Sequence, residues 1–454
     1  MMHLPPHLFR EYDIRGVFPS ALSESAAEQI AHAFGLKVSA ELKISNPKIC
    51  VGWDGRKSSP SLKVAVSKGL MRAGVEVLEI GIGPTPMTYF AVFHENADGC
   101  VMITGSHNPP DHNGLKMMIG TAPFYGAQIQ ELRDKIADGK LDENHGSIKE
   151  CTIRTIYIDT LLNAAKLDQK PLNVVWDCGN GAAGEVVQAL VKQLAGKHHV
   201  LFGEIDGAFP NHHPDPSDPH NLEDLQREVL ARSADLGIAF DGDGDRIGVV
   251  DSKGRIIAGD QLLAIVAPYV LRENSGATII ADVKTSKAVF DAIEQAGGKA
   301  LMWKTGHSNI KAKMKETGAL LAGEMSGHMF FADKYFGFDD AIYAAIRVLD
   351  MIANSPNTLA EMLDDLPKMH STAELRMDCD DERKFEIIAK LVRDLEESGA
   401  DFSAIDGVRV NTPDGWWLIR ASNTQPVLVA RAEAATKEGL ERVQAEMNLR
   451  LKLQ

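Results

Sequence analysis

One order of segments occurs three times in this chain, and it restricts the fold more than any other feature. An apolar run ends at an acid in ICVGWDG, VVWDCGN and TIIADVK. A helical stretch follows. A second apolar run then closes in Gly, Pro or polar residues: VEVLEIGIGPTP, HVLFGEIDGAFP and ALMWKTGHSNI. A third stops at a polar loop: CVMITGSHN, LGIAFDGDGD and LLAGEMSGH. Three strand–helix–strand units in one order predict three related α/β domains.

From about Ser371 the character changes. FEIIAKLVRDLEE has the spacing of an amphipathic helix, WWLIRASNTQPVLVARAEA reads as strand, polar loop, strand, and KEGLERVQAEMNLRL reads as a closing helix. This predicts a smaller α+β domain, and the expected division is 1–150, 151–252, 253–368 and 369–454. Within the first unit, Ser59 is expected to cap a helix with Pro60 at its first position. Val64, Leu70 and Met71 supply its apolar positions and Gly74 ends it. Ligands in open α/β sheets gather beyond the carboxyl ends of strands, so the three third-strand loops are placed to face one central cleft.

Composition bounds what can bind there. At 454 residues the chain is long enough for several domains, and its 24% charged and 44% hydrophobic content is that of a soluble globular protein. A net charge of −15 argues against a nucleic-acid partner, although a cleft can be basic on an acidic protein. The cysteines, Cys50, Cys100, Cys151, Cys178 and Cys379, show no metal spacing and are expected to be reduced in a cytoplasmic protein. The opening MMHLPPHLFREYD has no apolar core of a signal peptide. The longest apolar run, Leu262–Leu271, contains Pro268 and is too short for a bilayer, so no membrane association is expected.

The loops carry chemistry-bearing residues. DGDGDR, Asp241–Arg246, alternates carboxylates with glycines that let the backbone fold tightly around one point. Such crowded carboxylates repel without a cation, and Mg²⁺ is the default because it accepts a few carboxylates together with phosphate oxygens. A calcium EF-hand would need Gly and Glu where Arg246 and Ser252 stand. TGSHNPPDHNGLK offers Ser106, a weak nucleophile unless activated, with Lys116 returning after an expected Asn-Gly turn. The neighbouring His107 is not expected to reach Ser106 in a triad-like hydrogen bond. GEMSGH presents Glu324 and Ser326, suited to sugar hydroxyls, and RASNTQP presents Arg420, whose planar fork suits phosphate oxygens. GNGAAG, Gly179–Gly184, satisfies a dinucleotide fingerprint on paper, but Asp177 would place a negative charge beside the pyrophosphate. No Walker A sequence is present.

With Ser106, the Asp241–Asp245 loop, the Glu324 loop and the Arg420 loop in that order, the chain resembles the α-D-phosphohexomutase superfamily, nearest to its bacterial phosphomannomutase/phosphoglucomutase branch, from REYDIRG to RASNTQPVLVARAEA. The resemblance implies three α/β/α domains with mixed sheets and a smaller C-terminal α+β domain around a central cleft, and reversible interconversion of hexose 1-phosphate and hexose 6-phosphate of mannose, glucose or both through a phosphoserine and a hexose 1,6-bisphosphate. It implies Ser106 as the phosphoserine, with Asp241, Asp243 and Asp245 holding Mg²⁺ together with it. Arg15, His107, Lys116 and Arg246 would act beside it. Tyr12, Lys284, His307, Glu324, Ser326 and His328 would line the sugar site, and Arg420, Ser422, Asn423 and Thr424 would hold the non-reacting phosphate. Lys116 is expected to exchange the hydroxyl proton once nearby cations, Arg15 among them, lower its pKa. The form EMSGH looks like the mannose/glucose branch and not the glucosamine branch, which usually reads EQSGH. Phosphoglucosamine mutase and a metal-dependent sugar phosphatase are the alternatives, and the chain is expected to be a monomer or dimer.

Overall fold

A computed structural model describes residues 4–139, 141–164, 170–423 and 425–452, with the backbone alone at 381 and 382. Three sheets share one strand order. In the first, Glu76–Ile82, Lys48–Trp53 and Gly99–Ile103 run parallel, and His112–Ile119 returns antiparallel to Gly99–Ile103. In the second the same places are held by Gly196–Leu201, Leu172–Asp177, Leu236–Phe240 and Ile247–Asp251. In the third they are held by Lys299–Trp303, Thr278–Asp282, Leu321–Gly323 and Met329–Phe331. The repeat therefore has four strands, and each chemistry-bearing loop joins the third strand to an antiparallel return.

The third strand lies inside its sheet with neighbours on both edges. Gly99–Ile103, Leu236–Phe240 and Leu321–Gly323 are buried at every residue, as expected of strands covered on both faces. Loops leaving such strands start from the buried interior of each domain. One apolar cluster runs through all three sheets, including Leu78, Trp176, Val249, Ile279 and Leu321, and is sealed by helices Gly259–Leu271 and Ala341–Ala353. The fourth unit is an antiparallel sheet built on Gly415–Ala421 and Val427–Ala434, packed by helices Asp381–Ser398 and Lys437–Lys452. It has its own core of Leu391, Leu395, Trp417, Ile419, Val443 and Met447. Among the described residues no helix is long and apolar enough to cross a membrane, and the five cysteines are free.

Two local expectations are corrected. Ser59 is the first residue of helix Ser59–Arg72 and does not cap it. Its hydroxyl instead donates to the buried Asp54 at 2.5 Å, a stronger partner than a helix amide. The buried face of that helix is Leu62, Ala65, Val66 and Leu70, which turns Val64 outward to 61% exposure. Asn113–Gly114 is not a turn but part of strand His112–Ile119. Asn113 spends its amide on the Ser58 and Ser59 hydroxyls, and a Cβ at Gly114 would come 2.3 Å from the Ile14 carbonyl of the adjoining strand.

Candidate active site

The acid that recurs at the end of each first strand organises the loop beside it. In the first domain Asp54 accepts from the Thr104 hydroxyl at 2.8 Å and the Gly105 amide at 3.2 Å, and Thr104 Oγ1 in turn accepts from the Ser106 amide at 2.8 Å. This holds Ser106 at φ +50°, a left-handed conformation that costs roughly 1–3 kcal/mol in a non-glycine residue and that clusters at functional sites. The bend turns the buried Ser106 hydroxyl toward the second domain, where it donates to Asp241 Oδ2 at 3.0 Å. It also brings His107 Nδ1 to 3.1 Å from Ser106 Oγ. The expectation that adjacent Ser and His do not meet thus fails, because it assumed ordinary backbone at Ser106. Burial, then the charges of Arg246 and Arg15, push the His107 pKa well below that of an ordinary imidazole.

Asp241, Asp243 and Asp245 are all fully buried, with one carboxylate oxygen from each within 4.8 Å of the others. Their loop is braced from three sides. The Asp245 and Arg246 amides donate to Asp241 Oδ1 at 3.0 and 3.1 Å. Thr85 of the first domain donates its hydroxyl to Asp243 Oδ2 and its amide to the Asp243 carbonyl. The GNGAAG turn supplies the Ala182 amide to the Gly242 carbonyl at 2.9 Å, and a Cβ at Gly181 would sit 2.9 Å from the same oxygen. That motif supports the acidic loop and leaves no cradle for a pyrophosphate: Asp177 fills the turn, accepting from the Gly179 amide at 2.9 Å with His212 Nε2 at 3.1 Å.

The acidic loop fits a hard cation. Asp243 Oδ1 is buried without a hydrogen-bond partner, all the side-chain donors are oxygens, and Ser106 Oγ lies beside them. Burial and the charges of Asp245 and Asp243 push the Asp241 carboxyl well above its usual range. The cation already present is Lys116, which donates to Asp243 Oδ2 at 2.7 Å and to Asp245 Oδ2. This corrects the expected protonation of Lys116. Burial would lower its pKa, but Asp243, Asp245 and Asp241 outweigh burial and raise it, and Arg15 is not the group that decides it. Arg15 donates to Asn108 Oδ1 at 3.1 Å and to Asp13 Oδ2 at 2.5 Å.

The third loop meets the same space. Glu324 accepts from the Gly306 amide at 2.5 Å and faces His328 Nδ1 at 2.9 Å, while His328 Nε2 lies 3.3 Å from Asp245 Oδ1 and 3.4 Å from Arg246 Nε. Burial opposes charge on His328, but Asp245 and Glu324 prevail and raise its pKa to about 9. Ser326 Oγ lies 3.2 Å from His328 Nδ1. His307 is buried against Asp339, and burial and Lys311 lower its pKa. From the fourth domain, Arg420 donates Nε to Asp406 at 3.0 Å, Ser422 Oγ accepts from the Gln425 amide at 3.2 Å, and Asn423 donates to the Tyr12 hydroxyl at 2.7 Å. Tyr12 itself donates to the Thr305 carbonyl at 2.9 Å, and Lys284 Nζ reaches Glu374 at 3.3 Å. Thr424 lies outside the described residues.

A cavity of about 780 Å³ joins these parts. It is lined by Tyr12, Arg15, His107, Arg246, Lys284, His307, Glu324, Ser326, His328, Arg420, Ser422 and Asn423, from all four domains. Arg376 and Arg431 line it as well, so six Lys and Arg face four carboxylates in a chain of net charge −15. Such a cleft draws in a polyanion against the field of the whole protein.

Comparison with known proteins gives this geometry its kinship. Residues 6–143, 155–254 and 258–370 match the phosphoglucomutase/phosphomannomutase alpha/beta/alpha domains I, II and III, and residues 374–450 match the C-terminal domain of the same family. The phosphomannomutase/phosphoglucomutase of Pseudomonas aeruginosa PAO1 is 45% identical over 449 residues, covering 99% of this chain and 96% of the relative. The chain belongs to the phosphoglucomutase/phosphomannomutase family. A Neisseria gonorrhoeae phosphoglucomutase is 45% identical over 448 residues, 98% of this chain and 96% of its own. A crystal structure of a phosphoglucomutase/phosphomannomutase family protein from Burkholderia thailandensis superposes with a TM-score of 0.92 at 43% identity, covering 99% and 98% of the two chains.

Several site residues of this family member escape sequence reasoning. Arg376 and Arg431 sit on strands Leu375–Asp378 and Val427–Ala434, where alternation alone marks them as ordinary strand cations. Thr85 stands in GPTP, just past strand Glu76–Ile82, and its partner Asp243 lies 158 residues on in another domain, so no local pattern marks it.

Proposed function

We propose that this isomerase interconverts hexose 1-phosphate and hexose 6-phosphate of mannose and glucose through a phosphoserine at Ser106 and a hexose 1,6-bisphosphate that turns around in the cleft. The observation that carries this reading is the Ser106 hydroxyl 3.0 Å from Asp241, beside two further buried carboxylates, with their neighbours His107 and Arg246 lining a cleft that the Arg420 loop also lines.

Phosphoryl transfer needs in-line placement and charge neutralisation more than new bonding groups. Asp241, Asp243 and Asp245 would hold Mg²⁺ with a phosphoserine oxygen, and the ion when bound supplies positive charge to the transferring group. Arg246 and Arg15, both at the cleft wall, neutralise the same group from the protein side. Two further groups lie close enough to take part in proton exchange: His107 Nδ1, 3.1 Å from the Ser106 hydroxyl, and Lys116, whose ammonium Asp243 and Asp245 hold beside it. Glu324 keeps acceptor capacity beyond its Gly306 and His328 contacts for sugar hydroxyls, alongside Ser326, His328, His307, Lys284 and Tyr12. Arg420, Ser422, Asn423 and Thr424 would hold whichever phosphate is not reacting.

The reversal explains the chemistry of the fourth domain: a site that must take either end of the sugar recognises phosphate and little else. The test is a side-by-side rate comparison on mannose, glucose and glucosamine 1-phosphates with Mg²⁺ and a trace of hexose 1,6-bisphosphate. Mannose and glucose should react within about tenfold of each other and glucosamine far more slowly. Release of free phosphate without hexose 6-phosphate would overturn the mutase reading in favour of a phosphatase.

A further inference from the structure

Arg56 is 1% exposed, absent from the cleft wall, and unexplained by the mechanism above. We propose that it is a positioning residue for phosphoryl transfer: one guanidinium gathers the carbonyls of the Ser106 loop and so fixes the Ser106 hydroxyl in line. The inference rests on the reading that Ser106 carries the phosphoryl group.

The geometry is complete. Arg56 Nε donates to Asp54 Oδ2 at 3.2 Å, Nη2 to the carbonyls of Ser106 at 2.7 Å and Asn108 at 2.6 Å, and Nη1 to those of Pro109 at 2.5 Å and His112 at 3.0 Å. All five N–H groups of the fork are used. The buried Ser106 carbonyl needs a partner, and its loop, lying between strands Gly99–Ile103 and His112–Ile119, gives it no ladder. A lysine has no planar fork and cannot reproduce the set.

Two domains build the slot. A Cβ at Gly105 would lie 2.5 Å from the Arg56 Cζ, and one at Gly207 would lie 2.5 Å from its Cα. The Phe209 ring, from the second domain, covers the guanidinium with its centroid 5.3 Å away. From the metal loop, a Cβ at Gly242 would come within 2.3 Å of the same Ser106 oxygen. The carbonyl is therefore held by Arg56 and packed against the metal loop at once. Burying an arginine is costly unless every donor is paired, and apolar filling often serves stability better, so the observed pairing points to a geometric role. A misplacement of about 1 Å near the reacting atoms is enough to cost about 100-fold in rate.

The experiment uses full-length enzyme with Mg²⁺ and hexose 1,6-bisphosphate. Arg56→Lys should lower kcat about 100-fold while KM for glucose 1-phosphate stays within about threefold. Arg56→Gly should be inactive and regain at least about tenfold in kcat with millimolar guanidinium, saturably, but not with equal sodium or ammonium chloride. A wild-type kcat in Arg56→Lys would overturn the inference. So would losses accounted for by the unfolded fraction, measured by circular dichroism, with no guanidinium rescue. Ser106→Ala is assayed alongside: full turnover there sinks the carrier reading itself, whereas an inert Ser106→Ala beside a fully active Arg56→Lys sinks only the role of Arg56.

Discussion

The Ser106 loop and the Arg420 loop are both polar connections leaving buried strands, yet they are held very differently. Around Ser106, carbonyls are taken by Arg56, the amide by Thr104 and the hydroxyl by Asp241, and the facing acidic loop is braced by Thr85, Lys116 and the Gly179–Gly184 turn. These contacts cross between domains that share one apolar core. The Arg420 loop belongs to a domain with a separate core, and its links across the cleft among the described residues include the Asn423–Tyr12 hydrogen bond. Under the proposed function the difference separates two tasks: a reacting end would have to hold an attacking line to a fraction of an ångström, whereas a holding end would need only to recognise phosphate in either orientation of the sugar.

The contrast can be broken or sharpened by substitution. The largest effect is expected from Asp243→Asn, which should lower kcat on the order of 10³-fold. It should also abolish the stabilisation that Mg²⁺ gives the wild type, read by calorimetry. Arg420→Lys should act at the holding end. KM for glucose 1-phosphate and mannose 1-phosphate should rise together, about 30-fold, with kcat changed less than about threefold. Equal loss in kcat would erase the distinction between the two ends.

A smaller effect is expected where the cleft walls meet. Gly306 has φ +117°, and a Cβ there would lie 2.5 Å from the Tyr12 Cζ. Gly306→Ala should cost about 1–3 kcal/mol in urea unfolding, whereas Ala at the open Gly318, with nothing within 4 Å, should be limited to its own backbone strain. The mildest change is with pH in metal-free protein. The His328 pKa is raised from 6.5 to about 9, so its stabilising contribution is fully present below about 6.5 and is lost as pH rises through about 9. Stability of the EDTA-treated wild type should therefore carry a component that falls over that window, by at most about 1.4 kcal/mol per pH unit, and His328→Gln should remove it.

Much of this was legible because the repeat places chemistry at equivalent points. The order of third-strand loops marks Ser106, the aspartates and Glu324 as candidates, and the closing helix, strand pair and amphipathic helix of the tail are where their periodicity puts them. The return strands were missed. Segments such as IGVVD and MFF are too short to declare a direction, and Asn113–Gly114 mimics a turn when its side-chain amide is in fact bound to two serines. The protonation of Lys116 was misjudged for a related reason: its deciding partners lie 127 and 129 residues away, in another domain. Arg56 left the faintest trace, since its partners are mostly backbone carbonyls and carbonyls carry no residue signature.

The central claim is that the Ser106 hydroxyl is the station through which every phosphoryl group passes. Enzyme loaded from ³²P-labelled glucose 1,6-bisphosphate and digested with trypsin should carry its label on the peptide containing Ser106. In rapid-quench experiments that label should pass to unlabelled glucose 1-phosphate at least as fast as the enzyme turns over. Label on another peptide, or label on Ser106 that stays while product forms, would contradict the account.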